Sequence, residues 1–128
     1  MSQILKLVKK KILSITVALV IAYLSLAPGD SFKEVTLSNA DKIVHFIMYL
    51  TLMSVIIFEN RKMIKDTKQI VYIALVPFSY GVLMEILQFV ITSDRGASFF
   101  DILSNLSGVI FSALMWLYVK PLRRLLIR

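Results

Sequence analysis

Residues 70–92, IVYIALVPFSYGVLMEILQFVIT, form an apolar stretch long enough to cross a lipid bilayer as one helix. A transmembrane helix needs roughly 20 predominantly apolar residues. The stretch nevertheless holds a carboxyl group, Glu85, and an amide, Gln88, one turn further along. A carboxyl group in such surroundings is costly unless it is protonated, paired or in contact with water. Glu85 therefore predicts either a buried interaction or a hydrated site.

Three further apolar stretches accompany this one, at 12–27, 43–58 and 99–119. The composition agrees with membrane insertion, because the 128 residues are 58% hydrophobic and only 18% charged, with a mean hydropathy of +0.78. A soluble domain carries about 25% charged residues. We therefore predict an all-α fold, a polytopic membrane protein in which the single domain 1–128 is a four-transmembrane-helix bundle. The predicted helices cover about 12–27, 41–58, 69–92 and 98–119.

The basic residues indicate the orientation of the bundle. Most of the 15 Lys and Arg residues fall in the segments 6–11, 61–68 and 120–128, and the exceptions are Lys33, Lys42 and Arg95. Loops rich in Lys and Arg stay on the cytoplasmic side, so both termini are predicted to be cytoplasmic, in the bacterial cytoplasmic membrane. The net charge of +7 is thus a topology signal. No nucleic-acid partner is expected, since that would need a basic stripe on one folded surface.

The first stretch also resembles a signal peptide, because lysines precede it and Ser25-Leu26-Ala27 fits a cleavage pattern. Pro28 directly after that pattern and the three later spans favour a retained helix instead. The sequence has no cysteine, which excludes disulfides, thiol nucleophiles and thiolate metal sites.

Polar residues at the start of the second predicted helix have two interpretations. Residues 38–45 read SNADKIVH. Asp41 fits an N-terminal cap, because a carboxylate there complements the positive helix end. His45 lies one turn deeper on the same face. An imidazole inside a span is explained either by a hydrogen bond to another helix or by a functional role.

The third and fourth helices carry a second group of polar residues. Glu85 and Gln88 are three residues apart and share a face. Asp101 fits a cap at the start of the fourth helix, and Asn105 follows it one turn later. Arg95, between the two helices, is either an exposed loop arginine or a fork that binds carboxylate or phosphate.

The predicted topology brings these residues to the same end of the bundle, because helices two and four begin outside and helix three ends outside. We therefore predict a polar site at the outer end. The candidate acid and base residues are Glu85, His45 and Asp101, and the candidate binding residues are Asp41, Lys42, Gln88, Arg95 and Asn105.

These residues, in this order, resemble the VanZ-like family of small bacterial membrane proteins. The matching positions are Asp41, Lys42 and His45, then Glu85 and Gln88, then Arg95, Ser98 and Asp101, and finally Asn105 and Gly108. Ser112 stands where many relatives have a second glycine. The resemblance implies a setting in the bacterial cell envelope and an association with low-level resistance to teicoplanin, a lipid-tailed glycopeptide antibiotic. It implies no particular reaction.

Four functions are compatible with the sequence. The site can bind membrane lipids or lipid-linked envelope precursors, with Arg95 and Lys42 holding phosphate, or it can act as an enzyme with Glu85, Asp101 and His45 as acid and base. Transport would need a homo-oligomer, since four short helices enclose little volume. The fourth function is purely structural: the polar residues form a hydrogen-bond network that only holds the helices together. Asp, Glu and His could alternatively hold a divalent metal, with Asn or Gln completing the shell. No metal and no cofactor are nevertheless expected, because His45 is the only imidazole and no HExxH motif or comparable ligand pair is present.

Overall fold

The computed structural model describes residues 2–27, 40–91 and 99–126, apart from the side chains of 40, 41 and 120–126. All the regular structure in these ranges is helical, which confirms the all-α fold. The helices are α1 (Gln3–Lys10), α2 (Ile12–Leu26), α3 (Ala40–Asn60), α4 (Thr67–Ile91) and α5 (Phe99–Leu126).

Each predicted helix corresponds to one of these elements, with two differences. Helix α5 continues past the predicted end at 119, and α1 is an additional short helix that ends where Lys11 interrupts the backbone pattern. On α1, Ile4, Leu7 and Val8 lie on one face and the lysines on the other, and none of its residues is buried. From the sequence, this segment is predicted only as a basic flank of the first span.

Three segments are long and apolar enough to cross a membrane: Lys42–Asn60, Thr67–Ile91 and Phe99–Val119. Helix α2 is equally apolar but has only 15 residues. Large hydrophobic side chains cover the outer surface of the helices, as Leu19, Val76 and Phe89 show with exposures of 66%, 62% and 67%. Such a surface suits contact with lipid better than contact with water.

Helix α3 is the central element, since it packs against α2, α4 and α5. The shared core contains Ile21 of α2, Tyr49 and Met53 of α3 and Val109 of α5, none more than 1% exposed. Helices α3 and α5 run in the same direction, with Ser54 Oγ 2.7 Å from Ser112 Oγ. Ser112 is therefore compatible with close packing of α3 against α5.

Side-chain contacts join the start of α2 to the end of α3. Glu59 accepts hydrogen bonds from the Ser14 backbone N–H at 3.0 Å and from the Ser14 hydroxyl at 2.6 Å. Lys11 donates to the side-chain oxygen of Asn60. These two helices are consequently antiparallel, and the polar contacts between them lie at the end of the bundle opposite to the start of α3.

Candidate functional site at one end of the bundle

His45 lies in the second turn of α3 and is almost fully buried, with an exposure of 3%. Its Nδ1 lies 3.0 Å from Asn105 Oδ1, at hydrogen-bonding distance, and 3.7 Å from Glu85 Oε1. Its Nε2 lies 3.9 Å from Asp101 Oδ2. The imidazole is therefore surrounded by two carboxylates and one amide, contributed by α4 and α5.

We call His45, Glu85, Asp101 and Asn105 the His45 cluster. Its members are 2–5% exposed. The cluster exists because α3 and α5 begin, and α4 ends, at the same end of the bundle. Asp101 lies in the first turn of α5, where the helix dipole favours a negative charge. Glu85 has no such helix-end explanation, since it lies within α4. The predicted acid and base residues thus meet in space.

Asn105 connects the cluster to the bundle core. Its Nδ2 is buried without a hydrogen-bond partner among the described residues, and the same is true of the Tyr49 hydroxyl. Both side chains border Gly81, because a Cβ added to that glycine would lie 3.1 Å from Asn105 Nδ2 and 3.0 Å from Tyr49 Cε1. The polar site therefore continues inward along α3 as far as Tyr49.

The model of the VanZ/LLP1 family matches residues 3–121, which is nearly the whole chain and includes every helix that contributes to the cluster. The chain belongs to the VanZ/LLP1 family. This confirms the resemblance to VanZ-like proteins. Comparison with curated proteins and with solved structures returned no significant match.

Gln88 has a contact of its own in this VanZ/LLP1 protein. Its Nε2 donates a 2.9 Å hydrogen bond to the backbone carbonyl of Ser25, in the last turn of α2. The last carbonyls of a helix have no partner within the helix, so this bond satisfies one of them. The sequence predicts Gln88 as a binding residue next to Glu85, and the structure additionally shows that it attaches α4 to α2.

The other predicted binding residues are described in part. Lys42 lies one turn before His45 on α3 and is half-buried. Arg95 and the side chain of Asp41 lie outside the described residues, so their roles stay predictions.

Tyr49 is the residue at this site that the sequence analysis missed. It is 1% exposed and lies four residues after His45, so the two share a helix face. This spacing indicates that Tyr49 faces the site, but a tyrosine in an apolar helix, unlike a charged residue, is compatible with an ordinary packing role.

Three side chains of the His45 cluster belong to residue types that commonly bind metal ions. His45, Glu85 and Asp101 each offer one ligand atom, and these atoms lie within 4.8 Å of one another. The carboxylates of Glu85 and Asp101 can accept hydrogen bonds or protons. The imidazole of His45 can accept a hydrogen bond or a proton at one ring nitrogen and donate from the other. The cluster can therefore bind a polar ligand, transfer a proton or hold a cation.

Proposed function

We propose that this VanZ/LLP1 protein crosses the bacterial cytoplasmic membrane four times, with both termini cytoplasmic. In this proposal it binds the polar headgroup of a lipid or a lipid-linked envelope component at the His45 cluster. One observation carries the proposal: three ionisable side chains from three helices converge in an apolar bundle, each at most 5% exposed. Ionisable groups inside membrane segments are expensive to bury and commonly line the path of a ligand or a proton.

The distribution of charge supports an outward-facing cluster. The contacts of Lys11 with Asn60 and of Ser14 with Glu59 bring the basic segments 6–11 and 61–68 to the end opposite to His45. Basic segments remain in the cytoplasm. The end that carries the His45 cluster then faces the outer leaflet, where lipid headgroups and envelope precursors are found.

The chemistry of the cluster suits a headgroup. The carboxylates of Glu85 and Asp101 accept hydrogen bonds from hydroxyl or ammonium groups, and a ring N–H of an imidazole can donate to phosphate. Lys42 and Arg95 are proposed to add positive charge beside a phosphate. The apolar outer surfaces of α4 and α5 are suited to hold the acyl chains of the same molecule.

Lipid retention by the full-length protein tests the proposal. The protein and the variants Glu85→Gln and Asp101→Asn are purified in a mild detergent with EDTA present, and the co-purifying lipids are quantified by mass spectrometry. A hydrogen bond to a charged group contributes about 1.5–3 kcal/mol, so each variant should retain the specific lipid at least about tenfold more weakly.

Two substitutions of the same kind serve as controls. Glu59→Gln and Asp66→Asn remove a carboxylate elsewhere, the first at the other end of the bundle and the second at the start of α4. Both should keep the lipid. Equal retention by all five proteins would show that the cluster does not bind a headgroup.

Acid–base catalysis on a headgroup is the second candidate. It is favoured by the position of His45, whose two ring nitrogens face different carboxylates at 3.7 and 3.9 Å. Such an arrangement can pass a proton to or from a substrate. Incubation of the protein with the retained lipid distinguishes the candidates: a new lipid product that Glu85→Gln fails to form supports catalysis, and an unchanged lipid supports binding alone.

A lowered susceptibility to teicoplanin is the proposed consequence in the cell. Expression in a susceptible host should raise the inhibitory concentration of teicoplanin but not that of a glycopeptide without a lipid tail. His45→Ala and Glu85→Gln should remove the effect while the protein still accumulates in the membrane. A loss of the protein itself in both variants would instead support a purely structural polar network.

A further inference from the structure

The three ionisable side chains of the His45 cluster are arranged as the ligands of a metal ion. Their candidate ligand atoms lie within 4.8 Å of one another, although they come from three helices. The individual separations of 3.7 Å and 3.9 Å exceed the length of a hydrogen bond. Two ligands bound at about 2.1 Å to the same ion lie about 3–4 Å apart, so the 3.9 Å separation of His45 Nε2 from Asp101 Oδ2 suits shared coordination.

Asn105 orients the imidazole for such a role. Its Oδ1 can only accept a hydrogen bond, so the 3.0 Å contact assigns the proton to Nδ1 of His45. Nε2 then carries the free lone pair, and it lies 3.9 Å from Asp101 Oδ2. Histidines that bind metals usually donate their other N–H to a carboxylate or a carbonyl oxygen in this way, which holds the ring in one tautomer.

The charges of the cluster match a divalent cation. Glu85 and Asp101 carry two negative charges when ionised, and carboxylates are common ligands of divalent ions. A neutral imidazole and two carboxylates bound to a divalent ion form an electrically neutral unit. Such a unit is far less costly to keep inside a membrane than separated charges.

The donor types narrow the choice of ion. One imidazole nitrogen and carboxylate oxygens, with no cysteine in the sequence, suit Zn²⁺ or Mn²⁺ better than Cu⁺ or an iron–sulfur cluster. Three protein ligands also leave at least one coordination position open, as in catalytic zinc sites. That position is suited to an oxygen of an anionic phosphate headgroup.

We propose that His45, Glu85 and Asp101 bind one divalent cation, Zn²⁺ or Mn²⁺, oriented by Asn105, and that the cation contacts the phosphate of the bound headgroup. The contact to the headgroup rests on the proposed function, whereas cation binding itself does not. The expectation of no metal rests on His45 being the only imidazole and on the absence of an HExxH motif, whereas the structure brings three side chains of ligand type together from three helices.

Cation binding is measured on the full-length protein in detergent without added lipid. After treatment with EDTA and equilibrium dialysis against Zn²⁺ or Mn²⁺, the expected result is one ion per chain and a higher unfolding temperature. X-ray absorption of the Zn²⁺ form should show one imidazole among oxygen ligands at about 2.0–2.2 Å. His45→Gln should remove the imidazole signal.

Matched variants identify the ligands. Glu85→Gln and Asp101→Asn should abolish binding, whereas Glu59→Gln and Asp66→Asn should retain one ion per chain. Asn105→Ala should weaken binding about 10–100-fold without removing it, as expected of a residue that only orients a ligand. Absence of a bound ion in the wild-type protein, or equal binding by wild type, Glu85→Gln and Asp101→Asn, would overturn the inference.

The two proposals fail separately. Lipid retention in EDTA together with no bound cation would sustain the proposed function and overturn the metal site. One bound cation that disappears in Glu85→Gln, together with equal lipid retention by all variants both in EDTA and with the cation added, would sustain the metal site and overturn headgroup binding.

Discussion

Gly108 of α5 lies directly against the backbone of Phe46 in α3: a Cβ added to the glycine would be 2.4 Å from the Phe46 carbonyl oxygen and 2.9 Å from the Leu50 nitrogen. Glycine therefore allows the two backbones to approach more closely than any other residue would. This approach brings Asn105 within 3.0 Å of His45 on one side and Ser112 within 2.7 Å of Ser54 on the other. One close contact thus supports both the candidate site and the packing below it.

Gly108→Ala should destabilise the protein by about 1–3 kcal/mol, because the new methyl group meets backbone atoms and α3 and α5 must separate. Thermal unfolding in detergent measures the effect. Gly81→Ala is the matched control: its added Cβ would meet only side chains, at 3.0–3.3 Å, and alanine favours a helix by about 0.8–1 kcal/mol. Unchanged stability of Gly108→Ala would contradict the assigned contact.

The hydrogen bond between Ser54 and Ser112 should contribute about 0.6 kcal/mol, the average measured for such bonds between membrane helices, and no more than about 1.7 kcal/mol. A double-mutant cycle with Ser54→Ala, Ser112→Ala and the double variant isolates this energy. The same cycle with Ser107, whose hydroxyl bonds to the backbone of its own helix, should give no coupling to Ser54. A coupling energy near zero for Ser54 and Ser112 would show that the bond does not stabilise the bundle.

Gln88→Met should lower the free energy of unfolding by about 1 kcal/mol, since methionine has a similar shape but leaves the Ser25 carbonyl without the donated hydrogen bond. If Gln88 acts mainly as a helix contact, this variant should still bind lipid and cation as the wild type does. Unchanged stability combined with lost lipid retention would instead assign Gln88 to the ligand.

The orientation of the bundle can be tested because the sequence contains no cysteine. Lys42→Cys and Lys62→Cys place single thiols near the start of α3 and just after its end. With both termini cytoplasmic, a membrane-impermeant thiol reagent should label position 42 in intact cells and position 62 only after permeabilisation. The reverse pattern would place the His45 cluster at the cytoplasmic face.

Most of the helices could be predicted from the sequence because hydropathy and capping are local properties. Glu85 was singled out because no helix end explains a carboxyl group there, and the structure places it 3.7 Å from His45. Tyr49 and the bond from Gln88 to Ser25 could not be predicted in the same way. They depend on which faces of α2, α3 and α4 meet, and periodicity within one helix does not specify its neighbours.

The sequence by itself determined that this protein is helical and apolar, and that its ionisable residues in the spans collect near helix ends, because each property depends on residues close together in the chain. Only the tertiary structure decided which of these residues meet. The direction and spacing of the helices, with Gly108 against Phe46, bring His45 between Glu85 and Asp101 and place Asn105 on its Nδ1. The same packing places the Gln88 side chain within hydrogen-bonding distance of the Ser25 carbonyl in α2. Such contacts between helices depend on the rotation and separation of both helices.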